Sequence, residues 1–128
     1  MAELLAAWPD AEVVVLDLLD PAVAPACTAT PETIETPLIR VVRTGGSDDG
    51  ITDSPVMEVT CIGADRTQSW QLSEQCRQVI LASPNTVVAG VLIDDAATFT
   101  PPLQIPDPDL DKRSVTTNFV LAWRRPRS

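Results

Sequence analysis

Val91–Arg125, VLIDDAATFTPPLQIPDPDLDKRSVTTNFVLAWRR, is the stretch on which the fold turns. Its first ten residues, Val91–Thr100, form a β-like run. Pro101–Asp111 then brings four prolines and three aspartates, a composition that breaks regular structure. Beyond that loop, Ser114–Arg124 alternates strictly. Val115, Thr117, Phe119, Leu121 and Trp123 fall on one face and polar or small residues on the other, the signature of a half-buried strand. Two strands joined by a polar connection imply an antiparallel sheet with one face to cover.

Working outward, Asp65 opens the clearest helix. Asp65 with Gln68 three residues on is a variant capping box, and Pro84-Asn85 stops the run. Ser69, Leu72, Cys76, Val79, Ile80 and Ser83 share one side of it. Further upstream, Leu38–Thr44 (LIRVVRT) is a β-branched run between Pro37 and Gly45-Gly46. Val56–Gly63 (VMEVTCIG) places Met57, Val59 and Cys61 opposite Glu58 and Thr60. Gly45–Pro55 reads as a flexible acidic tip between them. Trp8-Pro9-Asp10 starts a first helix that ends before Asp20-Pro21, with Ala11, Val14, Val15 and Leu18 inward. Ala22–Pro37 is extended, with one short strand at Ala26–Ala29. Residues 1–128 thus read as a single α+β domain: two helices on one face of a mostly antiparallel sheet of four to five strands, with loops at 45–55 and 101–112 and a basic tail at 124–128.

Composition removes several classes of function. The chain has no histidine and no tyrosine, so the commonest general base, zinc ligand and partner of a catalytic nucleophile are missing. Eighteen acids against nine bases give a net charge of −9, which opposes binding through phosphate neutralisation and favours repulsion from passing DNA. No apolar run approaches the roughly 20 residues of a membrane helix, and MAELLAAW lacks a basic leader. Cys27, Cys61 and Cys76 form no CxxC pair and read as thiols in a reducing compartment. GGSDDG puts negative charge where a phosphate loop needs lysine, and neither Asp48, Asp49 and Asp53 nor Asp107, Asp109 and Asp111 has calcium-loop spacing. The reading is of a protein without catalysis, cofactor or metal.

What remains are candidate contact residues. Trp70 lies roughly 160° around the helix from Leu72, so it points away from the sheet as an interface anchor or folds under the N-terminal segment or the Ala22–Pro37 segment. Arg40 and Arg43 fall on opposite strand faces, so one of them needs an interface or a partner. Asp48, Asp49 and Asp53 on one loop and Asp107 and Asp109 on the other are acidic contact candidates. Arg124, Arg125 and Arg127 form the basic cluster, suited to an acidic partner surface or merely solvated.

WPDAEVVVLDLL, PLIRVVRTGGSDDG, TDSPVMEVTCIGADRTQSWQLSEQCRQVILA and PDPDLDKRSVTTNFVLAWRR resemble, in this order, segments of the tail terminator proteins of long-tailed actinobacterial phages. The resemblance spans the chain except Ala22–Pro37, and the RTGG turn and the PDP-to-strand junction carry most of it. It implies a virion structural protein of the tail neck, present in the host cytoplasm during assembly. Such a protein forms a hexameric ring on the head-proximal end of the tail tube, halts tube growth and docks the head-completion (stopper) protein. Its implied partners are its own copies, the tail tube protein and the stopper. DNA passes through the lumen without specific binding, and no membrane is involved. A stopper or adaptor of the same neck is the alternative.

Overall fold

The computed structural model describes residues 8–29, 31–104 and 114–124. Helix α1 (Ala11–Leu19) leads into β1 (Ala26–Cys27), β2 (Leu38–Asp48) and β3 (Thr52–Ile62). Helix α2 (Arg66–Leu81) follows, then β4 (Val87–Val88), β5 (Val91–Gln104) and β6 (Ser114–Arg124). The strands form one sheet in the order β1-β2-β3-β6-β5-β4. It therefore has six strands rather than four to five. It is mixed, because β1 runs parallel to β2 while every other neighbouring pair is antiparallel. β1 falls within the short strand expected at Ala26–Ala29, and both β1 and β4 are only two residues long.

Local sequence explains the elements. Asp10 caps α1 by accepting from the N–H groups of Glu12 and Val13. Ala11, Val15 and Leu19, four apart, form the buried ridge with Val14, while Leu18 is only half-buried. Asp65 caps α2 by accepting the Gln68 N–H at 2.8 Å, and the Gln68 side chain accepts from Ala64 N–H, so the capping box closes one residue early. The inward row of α2 is Ser69, Leu72, Ser73, Cys76 and Ile80, with Val79 half-buried beside it. Strand β6 realises its alternation in full. Val115, Thr117, Phe119, Leu121 and Trp123 are each exposed by 1 % or less.

Helix α2 lies across β3, β6 and β5, whereas α1 touches β1, β2, β3 and also β4. Since β4 and β1 stand at opposite ends of the strand order, the sheet must curl around the helices for α1 to meet both. The core fills this concave side, with Trp123, Phe119, Leu19, Ile39, Met57, Ile80, Ile93 and Leu121 fully buried. The convex side carries no helix among the described residues. Its centre is held by cross-strand polar pairs: Arg40 Nη2 to Glu58 Oε1 at 3.5 Å, and the Thr60 and Thr116 hydroxyls at 3.0 Å.

Residues 45–55, read as a flexible loop, are largely paired strand. Gly45↔Val56, Gly46↔Pro55, Ser47↔Ser54 and Asp48↔Asp53 continue the hairpin after a bulge at Arg43/Gly45, leaving a three-residue tip. Gly46 has φ +112°, and a Cβ there would stand 2.3 Å from the Ser54 carbonyl oxygen, so only glycine fits this register. Likewise residues 101–104, assigned to the second loop, belong to β5.

Candidate contact surfaces

The hairpin arm brings together two of the residues singled out from sequence. Arg43 Nη1 and Nη2 donate to Asp53 Oδ2 and Oδ1, both at 2.9 Å, in a bidentate pair. Asp53 is 2 % exposed and its partner's side chain 36 % exposed, so this acid is a fastening of the arm rather than a free loop carboxylate. Arg43 Nε also donates to the Gly45 carbonyl at 3.1 Å, across the bulge. The Arg43 backbone N–H donates to Glu12 Oε2 of α1 at 3.0 Å. At this point the edge of β2 is capped by side chains of its own chain.

Asp48 and Asp49 sit exposed at the tip and shape it. Asp48 Oδ1 accepts from Gly50 N–H at 3.0 Å, and Asp49 Oδ1 from Thr52 N–H at 2.7 Å and Ile51 N–H at 2.9 Å. The Thr52 amide, then the Ile51 amide, hold the Asp49 carboxyl below its ordinary value of 3.8. Ile51 between them is 67 % exposed, an apolar tip that the acidic composition of the loop concealed.

Trp70 departs from the expectation of a fully outward anchor. It is half-buried, and its enclosed indole N–H has no acceptor. Arg66, one turn earlier, covers the ring at 5.7 Å and donates from Nε to Gln104 Oε1 of β5 at 3.2 Å. The curl of the sheet raises β5 beside the flank of α2, so a residue opposite Leu72 on the helical wheel is still partly enclosed.

Strand β5 carries a surface that sequence reasoning missed. β4 pairs only with Val91 and Leu92, and Asp94–Gln104 has no partner among the described residues on the side away from β6. Phe99 and Leu103 on this strand are each 63 % exposed, and Pro101-Pro102 interrupts its donors. Repeated register shifts at Ile93/Asp95, Thr98/Thr100 and Thr100/Leu103 break its alternation, which is why periodicity gave no sign of an open apolar edge. Near its start, Asp94 Oδ2 stands 3.9 Å from Arg124 Nε, a surface pair of small energetic weight. Asp107, Asp109, Arg125 and Arg127 lie outside the described residues.

Beneath α2, Cys61 Sγ and Cys76 Sγ are 3.7 Å apart as free thiols, and Cys27 is half-buried elsewhere. The hydrogen bond between the two thiols, then burial, pushes Cys61 far above the usual thiol range. Two shallow hollows of about 160 and 350 Å³ run along the outer flank of α2, where Gln68, Gln71, Gln75 and Gln78 face Ala22, Val23 and Pro37. No group of three His, Cys, Asp or Glu side chains among the described residues converges as a metal site, and no helix among them is long and apolar enough to cross a membrane. The arrangement offers edges, a tip and a convex face, which are means of contact.

A solved structure described as the virion of a native gene transfer agent particle contains a chain of the same fold. The TM-score is 0.61 at 12 % identity, over 89 % of this chain and 87 % of that one. Comparison with curated proteins gave no match. The family model described as phage tail termination protein matches residues 7–128. With nearly its whole length inside that match, this chain belongs to the phage tail termination protein family, viral proteins of virion assembly.

Proposed function

We propose that this protein terminates the tail. Six copies form a ring on the head-proximal end of the tube, block addition of further tube subunits and present the opposite surface to the head-completion protein. The observation that carries this reading is the family match over residues 7–128. The absence of histidine from the sequence is consistent with a role exerted through binding alone.

A closed ring needs two different, complementary patches on each subunit. The open edge of β5, with Phe99 and Leu103, supplies one patch suited to a neighbouring copy. Arg124, Arg125 and Arg127 against the acidic segment around Asp107 and Asp109 would add an electrostatic pair. Asp48 and Asp49 at the hairpin tip face the lumen, where they repel DNA passing through. Trp70 beside Arg66 serves as a flank contact, and the Arg43–Asp53 pair keeps the arm in shape. The ring then belongs to the virion neck, after assembly in the host cytoplasm.

Negative-stain microscopy of lysates from a phage lacking this gene tests the reading. Overlong tubes beside tailless, DNA-filled heads are expected. Tails of normal length that fail to join heads would assign the protein to the stopper or adaptor position instead, and intact virions would remove it from the neck altogether.

A further inference from the structure

Cys61 on β3 and Cys76 on α2 are each 1 % exposed, with sulfurs 3.7 Å apart and a sequence separation of fifteen. Neither thiol contributes to any contact surface described above. Around them α2 is fastened to the sheet at two further points. Gly63 N–H donates to Ser69 Oγ at 2.8 Å, and the Ser73 and Thr117 hydroxyls meet at 3.2 Å. The thiols are therefore held in register by neighbours on both sides, and the sulfurs must close from 3.7 Å to the roughly 2.05 Å of a disulfide.

We propose that Cys61 and Cys76 are a modification site: on meeting a small-molecule disulfide they close into an intramolecular disulfide that fastens α2 to β3. One cysteine, as thiolate, attacks a sulfur of the oxidant and expels one small thiolate, leaving a mixed disulfide. The second cysteine then attacks the protein sulfur and expels the other. Two protein thiols lose two protons and two electrons, and the oxidant gains them as two small thiols. In a reducing compartment the pair stays a dithiol, and in an oxidising one the cross-link forms. Because both sulfurs are enclosed, α2 must lift locally to admit the oxidant, so closure is slow in the folded protein. Cys27, remote in sequence and half-buried, takes no part.

The test uses the full chain incubated with oxidised or reduced glutathione under native conditions, then denatured, alkylated and weighed. Three alkylated cysteines are expected after reduction and one after oxidation. Unreduced tryptic digestion of the oxidised sample should join the peptide 44–66 to the peptide 67–77, since Arg66 lies between the two cysteines. The Cys27→Ser chain should behave alike. Closing a loop of this length should raise Tm by roughly 10 °C. Three alkylations after oxidation, a cross-link that includes Cys27, or an unchanged Tm in the cross-linked form would each overturn the proposal.

Discussion

Asp53 has both oxygens on one guanidinium, and the two members of that pair differ in burial, which makes their removal unequal. Arg43→Met leaves a carboxylate buried without a counter-charge and should cost about 3 kcal/mol in urea unfolding. Asp53→Asn leaves a half-exposed arginine that water can still reach, and about 1.5 kcal/mol is expected. Equal losses would mean that the pair is not enclosed. Asp49 gives a pH signature. Its folded value lies below 3.8, so its stabilising effect on the tip is complete above 3.8 and disappears as pH falls through that lower value. Amide resonances of Ile51 and Thr52 should therefore titrate with a midpoint below 3.8, and Asp49→Ala should abolish the transition. The Arg43–Asp53 partnership was only half legible in the sequence. The need of one arginine for a partner followed from alternation, but its identity depends on a bulge that shifts the register by one residue.

Helix α2 was read almost entirely from its own residues because its signals are local: an aspartate cap, a glutamine three residues on, an apolar row and a proline stop. What its sequence did not disclose is how tightly it enters the sheet. A Cβ at Gly63 would stand 2.6 Å from the Ser69 backbone nitrogen, so Gly63→Ala should destabilise the fold by about 2 kcal/mol or more, measured as a fall in Tm. The β4–β5 turn gives the opposite case. Ala89 holds φ +51° ahead of Gly90 at +75°, and Ala89→Gly should gain roughly 0.5 kcal/mol by relieving a left-handed alanine. Trp70 marks the limit of the helical wheel. The wheel assumes a flat sheet beneath the helix, and here the curl encloses the flank as well. The shortness of β4 leaves most of the β5 edge open. Phe99→Lys and Leu103→Lys should change Tm little, because neither side chain is in the core, yet prevent these subunits from restoring tails of set length to a phage lacking the gene.

At the scale of the molecule, charge and shape point the same way. The α+β class and the placement of both helices on one face followed from hydrophobic pattern, since each element's apolar side must find another. The paired length of the β2–β3 arm did not, because Gly45, Gly46, Ser47 and Asp48 have poor strand propensity and are held only by partners across the hairpin. That arm projects two exposed acids on a rigid stem, which gives the lumen assignment a consequence separate from tail length. The substitutions Asp48→Lys and Asp49→Asn change the tip by three charges, and the asparagine keeps an acceptor for the Thr52 and Ile51 amides. If the tip faces DNA, particles carrying both changes should have tails of normal length. They should eject DNA more slowly at low ionic strength and recover as salt shortens the screening length to about 10 Å at 0.1 M. Ejection indistinguishable from the parent at every salt concentration would place the tip on the outer wall. The repulsion would then have to come from other acids of a chain with net charge −9.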